Sequence, residues 1–284
     1  MIYDERACTL GEGPLWHPER SQLFWFDIVE QKMLSRKEGR PLEWVFDRMV
    51  SAAGIIDEDR LLIATETDLR IFALSSGKSS SLCDLEADNS TTRSNDGRAD
   101  PQGGFWIGTM GKKAQPHAGS IWRWYRGEMR RLYCGISITN SICFTPDGTS
   151  AFFADTATSR VMRVALNRNG WPIGEPELYL DLAPENLNPD GAVIDSSGKM
   201  WLAQWGAARV ASYAPDGAFL TSIAVNAPHT SCPAFGGHDL STLYVTTALQ
   251  DLSAASRSAH PQAGCVFSFA AVAQGTPEHR VKLQ

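Results

Sequence analysis

Six times along the chain, every ~40–50 residues, the same short unit returns. It is an apolar run, a tight turn of Gly, Pro, Asp or Ser, and a second run rich in aromatic and β-branched residues. The second runs are Leu23-Phe24-Trp25-Phe26, Leu61-Leu62-Ile63-Ala64, Phe105-Trp106-Ile107-Gly108, Ala151-Phe152-Phe153-Ala154, Met200-Trp201-Leu202-Ala203 and Leu243-Tyr244-Val245-Thr246. Such residues suit strands, and steps such as Asp147-Gly148 and Gly236-Gly237 supply the positive φ that a hairpin needs. A third run follows in several units, as in Arg160–Val164 and Arg209–Tyr213, with the alternation of a half-exposed strand. Solenoid repeats are shorter or helical and need polar caps, which are absent here. The pattern predicts an all-β chain, a six-bladed β-propeller with four-stranded blades forming a single domain over residues 1–284. Ring closure requires the ends to meet, and Tyr3–Leu10 with Gly264–Phe269 are the segments expected to share a blade. Ser75–Ser81 reads as an exposed loop.

Composition narrows the function. With 43% apolar and 20% charged residues, the chain is an ordinary globular sequence rather than a disordered one. A net charge of -6 and no basic block interleaved with aromatics argue against a nucleic-acid partner. No apolar run approaches the ~20 residues of a membrane-spanning helix. The first residues, Met1-Ile2-Tyr3-Asp4-Glu5-Arg6, carry two acids and no apolar core, unlike a signal peptide. The expectation is a cytoplasmic protein with no membrane association and no evident protein partner. Cysteines 8, 83, 134, 143, 232 and 265 form no CxxC pair and have no histidine cluster beside them, so free thiols are expected.

Polar residues that interrupt the apolar pattern mark the candidate site. Glu12 in Gly11-Glu12-Gly13-Pro14, Asn140 in Thr139-Asn140-Ser141 and Asp190 in Pro189-Asp190-Gly191 occupy equivalent places in three units. Each alone is explained by a turn. Together, in phase, they put three oxygens at one end of the axis, a set suited to a hard cation. Arg93 and Asn95 are two apart and share one face of an extended strand, where they would suit a polyhydroxylated or carboxylate-bearing ligand; a surface arginine beside an Asn-Asp-Gly turn is the plainer reading. Other chemistry is missing: no GxSxG elbow, no GxGxxG, no HExxH, and Gly77-Lys78-Ser79 has Phe72 where a phosphate loop needs glycine.

These blocks in order resemble the SMP-30/gluconolactonase (regucalcin-like) family over nearly the whole chain. The resemblance rests on Gly11–Trp16, Arg93–Pro101, Gly108-Thr109-Met110, Asn140-Ser141 with Pro146-Asp147-Gly148, Pro189-Asp190-Gly191 with Gly198–Trp201, and Phe235-Gly236-Gly237 with Leu243–Thr246. It implies a six-bladed propeller, metal ligands at Glu12, Asn140 and Asp190, and substrate contacts at Arg93 and Asn95. One departure stands out. Where some members carry an acidic lid residue, this chain has Gly111-Lys112-Lys113-Ala114. Lys112 or Lys113 would then favour an anionic lactone, with Lys113 carried as the candidate substrate contact, beside the reading of a solvated lysine pair.

The resulting expectation is a lactonase that uses one divalent metal ion (Ca²⁺, Zn²⁺, Mg²⁺ or Mn²⁺) and acts on a sugar-acid lactone, a small-molecule partner. The cation would polarise the ring ester carbonyl. Asp190, both ligand and catalytic group, or a hydroxide on the metal, would serve as base. The alternatives are a calcium-binding regulatory protein without lactonase activity and a propeller hydrolase of another ester or phosphotriester.

Overall fold

Each aromatic second run lies between two neighbouring blades and is covered on both faces. Phe24 and Phe26 pack with Val50, Ile55, Leu61 and Ile63 on one side, while Leu23 and Trp25 pack with Tyr244 and Val266 on the other. Alternate side chains of a strand point to opposite faces, so a strand buried on both faces needs apolar residues at every position. That is why these runs read as continuous rather than alternating. The computed structural model, which describes all of residues 1–284, has six four-stranded antiparallel sheets. Five span residues 11–45, 50–84, 92–136, 139–181 and 188–224, and each runs in chain order from a buried inner strand to an exposed outer one. The inner strands Gly11–His17, Val50–Ile55, Thr92–Ala99, Thr139–Phe144, Asn188–Ile194 and Thr230–Gly236 contact one another in sequence, and the last returns to the first.

The sixth sheet closes the ring. Its inner three strands come from the end of the chain, and its outermost strand is Ile2–Asp4, paired with Val266–Phe269 through Ile2↔Phe267. The expected sharing of a blade by the two ends is therefore present, within narrower bounds. Ser79–Ser81 is a correction: these residues open the outer strand Ser79–Asp84 of the second blade. Its three serines are exposed and only Leu82 and Cys83 pack partly against the core, so the strand carries no apolar alternation to reveal it. All six cysteines are unpaired, four of them buried. The one α-helix is Ala254–Ala259, capped by Ser253, and no helix is long and apolar enough to cross a membrane.

Two features place the site. In all six blades the register between inner and second strand slips near the start of the inner strand, as between Glu12 and Leu15, Asn140 and Cys143, and Pro189 and Ala192. A bulge of this kind re-aims side chains and is common beside active sites. At the first bulge, Gly13 has φ +53°, and a Cβ there would lie 2.3 Å from Ser51 O, so only glycine fits. The other end of the axis is crossed by residues 270–284, held by Val281 N–H to Ile55 O at 2.7 Å and by Glu278 to Arg98 at 2.6 Å.

Phe26, fully buried between two blades, should cost about 3–5 kcal/mol when replaced by alanine. Phe219→Ala, on an exposed outer strand, should stay within about 0.5 kcal/mol. Denaturant unfolding checks the contrast, and equal losses would contradict blade-to-blade packing as the main stabilising contact.

Candidate active site

At the end opposite the C-terminal segment, one cavity of about 170 Å³ is lined by Glu12, Arg93, Asn95, Asn140 and Asp190 together. Five side chains separated by up to 178 positions thus meet because their inner strands converge on one axis. Lys113 is not among them. It is exposed on a turn whose next residue, Ala114, has φ +50°, and its neighbour Lys112 is drawn into an ion pair with Glu66. The structure therefore brings together every candidate except Lys113.

Hydrogen bonds hold the group rigidly. Arg93 Nη1 donates to Ser94 O at 2.8 Å and to Asn95 Oδ1 at 2.7 Å. The Asn95 amide donates both its hydrogens within the protein, to Thr139 O at 2.9 Å and to Asn140 Oδ1 at 3.0 Å. Asn95 therefore keeps only a lone pair for a ligand, and its first task is to hold Arg93 and Asn140. Nor are Asn95-Asp96-Gly97 a surface turn, since they lie inside the strand Thr92–Ala99. Asp190 is fixed from behind, its carbonyl oxygen accepting from Ser141 Oγ at 2.5 Å.

The electrostatics are unbalanced. Burial pushes the Glu12 carboxyl from its ordinary 4.5 up to about 8, and the charge of Asp96 adds to this; the Gly13 N–H and Arg93 pull the other way. Asp190 is raised well above the usual carboxylate range by burial, then by Glu12 and Asp96. Asp96, just below, is pushed by burial up to about 6, against the Ile142 N–H that it accepts. Arg93 is lowered by burial to about 10, although Glu12, Asp190 and Glu66 favour its charge. Arg98 counters Asp96, but the one guanidinium of Arg93 cannot neutralise both Glu12 and Asp190. No three His, Cys, Asp or Glu side chains gather as ligands anywhere in the molecule. The donor set at this cavity is instead two carboxylates and one amide, all oxygen, together with an excess of negative charge, and it fits a hard divalent cation.

Several neighbours of the site, Gln250 among them, are not singled out by the sequence. Asp96 contributes charge, and Thr156, Trp205 and Asp251 line the cavity. Register explains two of them. Thr156 and Trp205 stand at or just past the ends of the second strands that pair with Asn140 and Asp190, where Thr139 faces Asp155 and Asn188 faces Trp205. The residue that ends each second run returns to the same rim, and that rule would have found both.

Comparison with known proteins agrees with this geometry. The family model described as SMP-30/Gluconolactonase/LRE-like region matches residues 10–249. The chain is 38% identical to a Rhizobium meliloti protein provisionally named a sugar lactone lactonase, over 98% of this chain and 96% of that one. It is 34% identical to the L-arabinolactonase of Azospirillum brasilense, over 94% and 90% respectively. A crystal structure of a calcium-binding protein, regucalcin, from Agrobacterium tumefaciens superposes with a TM-score of 0.97 at 38% identity, covering 99% of this chain and 97% of that chain.

The raised carboxyls give a signed stability prediction. A carboxyl that holds its proton more tightly folded than unfolded favours folding below its unfolded value and loses that contribution as pH rises through the folded one. For Glu12 the window runs from 4.5 to about 8. In chelator, the wild-type Tm should fall across this window. Glu12→Gln should then melt higher than wild type at pH 8 by at least about 2 °C, with the gap closing near pH 4.5. Thermal melts at the two pH values check this, and a lower Tm for the variant at pH 8 would contradict the charge imbalance.

Proposed function

The chain belongs to the SMP-30/gluconolactonase/LRE-like family, and on that premise we propose that it is a lactonase hydrolysing a neutral sugar-acid lactone with one divalent cation held by Glu12, Asn140 and Asp190. The observation that carries the reading is the shared cavity in which two buried carboxylates, an amide oxygen and a fixed guanidinium converge. When bound, the cation supplies Lewis acidity toward the ring ester carbonyl.

The chain's own residues do the rest. Arg93 is anchored through Nη1, and no protein acceptor takes its other N–H groups, so they are free to hold ring hydroxyls of the lactone. Fixing the ring in this way turns binding into orientation of the carbonyl. Asp190 accepts a proton from the attacking water as the water oxygen adds to the carbonyl carbon. The tetrahedral intermediate then expels the ring oxygen, and that proton passes back to it, leaving the hydroxy acid. Burial suits Asp190 to this work, because a carboxylate raised toward neutrality is a stronger base than an exposed one.

Once a divalent cation is counted, its two charges and that of Arg93 balance Glu12, Asp190 and Asp251, so the loaded cavity has no surplus positive charge to select an anionic lactone over a neutral one. The one cationic side chain lining the cavity is Arg93, whereas Glu12, Asp190 and Asp251 line it as acids. Lys113, exposed on its turn, gives no compensating positive charge inside. Apolar walls from Ile138, Met110 and Trp205 complete a pocket matched to a small ring with one hydrophobic face.

A panel of neutral and anionic sugar lactones, aryl esters and phosphotriesters, followed by acid release, tests the assignment. Turnover should be highest with a neutral aldonolactone and should be lost in chelator. Asp190→Asn should lower kcat by about 10²–10⁴-fold, Arg93→Ala should raise KM by about 10–100-fold, and Lys113→Ala should change neither. Cation binding without hydrolysis of any lactone would favour a non-enzymatic calcium-binding protein. Fastest turnover of an aryl ester or phosphotriester would reassign the substrate.

A further inference from the structure

The hydrogen bonds around Asn140 form a chain with a single direction. At one end stands Arg93, whose guanidinium can only donate, and its Nη1 meets Asn95 Oδ1 at 2.7 Å. The Asn95 nitrogen must then face the other way, and it donates to Asn140 Oδ1 at 3.0 Å and to Thr139 O, an acceptor only. Asn140 in turn donates through Nδ2 to Thr156 Oγ1 at 2.8 Å. At the far end Thr156 spends its one hydroxyl hydrogen on Pro189 O at 2.7 Å, again an acceptor only. A donor-only group and a backbone carbonyl thus terminate the chain, and no amide within it can flip without setting donor against donor.

We propose that Thr156 is a positioning residue that holds the Asn140 amide with its nitrogen turned away from the cavity, so that Asn140 Oδ1 is the atom presented to a cation. This rests on the reading of Glu12, Asn140 and Asp190 as the cation site. The Thr156 hydroxyl is the one protein acceptor that takes the Asn140 nitrogen. Without it, that nitrogen is left unpaired and the Asn95 N–H alone restrains the Asn140 amide, while other acceptors lining the cavity include the Glu12 and Asp190 carboxylates. A swing toward them would set an N–H against the anionic oxygens that the cation needs. Since Thr156 also bonds the carbonyl of the residue before Asp190, one hydroxyl ties two of the three ligand-bearing strands together. Groups that orient ligands in this way typically change metal affinity 10–100-fold when removed.

The test is titration of the chelated full-length protein with Ca²⁺, Zn²⁺, Mg²⁺ and Mn²⁺, each alone, by calorimetry, carrying forward the tightest. Thr156→Val keeps the side-chain shape without the hydroxyl and should raise Kd 10–100-fold, while Thr156→Ser should bind as wild type. In an Asn140→Asp background both side-chain atoms are oxygens and no wrong orientation exists, so Thr156→Val should leave Kd nearly unchanged there. Wild-type affinity in Thr156→Val, or an equal loss in both backgrounds, would overturn the proposal, the second by revealing a packing effect. If Thr156→Val does not fold, Thr156→Ala against Thr156→Ser makes the same comparison. A wild-type protein that binds none of the four ions would instead overturn the cation-site reading itself.

Discussion

Two carboxylic acids, Glu12 and Asp190, both buried, face one cavity with the single guanidinium of Arg93 to offset them, while the charge of Asp96, itself countered by Arg98, adds to theirs. Burying a charge without a partner is among the most unfavourable things a fold can do. Protons meet part of the demand, which is why burial drives these carboxyls upward, and a divalent cation would meet it more fully. The site is thus under tension by design: what weakens the free protein is what a cation, or a proton in transit, relieves.

Holding such a cluster together requires the ring to be stiff at its centre. The strands that carry Glu12, Asn140 and Asp190 belong to the first, fourth and fifth blades, so small errors in blade angle would accumulate before reaching the site. Short bonds between inner strands counter this. Ser231 Oγ donates to Gly11 O at 2.5 Å, joining the last blade to the first, and Ser51 Oγ donates to Ser94 Oγ at 2.7 Å, joining the second to the third. Ser141 Oγ to Asp190 O joins the fourth to the fifth, and Asn95 to Thr139 O joins the third to the fourth. These serines stand beside the bulges, so one local distortion both aims a side chain at the axis and frees a hydroxyl to bind the next blade.

This geometry also decides what the sequence makes legible. The first hairpin of each blade is readable because its second strand is buried on both faces and so is apolar throughout, as in Leu23–Phe26. The outer strand Ser79–Asp84 is not, since it faces solvent and reads as a polar loop. Glu12, Asn140 and Asp190 are legible because a bulge recurs near the start of every inner strand, and polar residues at it stand out: Glu12 and Asn140 are the last paired residues before the slip, and Asp190 stands one place inside it. Thr156 and Trp205 lie on partner strands, and only pairing register brings them to the rim. Lys113 was drawn in by its position after Gly108-Thr109-Met110, yet side-chain direction on a turn depends on backbone conformation and on the pull of Glu66 on Lys112, neither of which sequence spacing encodes.

The inner strand Thr92–Ala99 shows how one fold treats the same chemistry in two ways. Arg93, buried near its start, and Arg98, partly buried near its end, are both arginines of one inner strand. Arg98 meets Glu278 at 2.6 Å, a partner delivered by the C-terminal segment across 180 positions, and that end of the channel is electrically settled. Arg93 is given no carboxylate partner at hydrogen-bond distance; its Nη1 is tied to a carbonyl and an amide, while Glu12 and Asp190 stand near enough only to bias its charge. Arg98 spends Nη1 on Glu278 and Nη2 on Ala192 O, both within the protein, whereas Arg93 is anchored by neutral groups through Nη1 alone and keeps N–H donors for a ligand. The difference between the two ends is therefore not in the residue type but in what each arginine is denied, and that withheld ion pair is what makes one end of the axis structural and leaves the other equipped for chemistry.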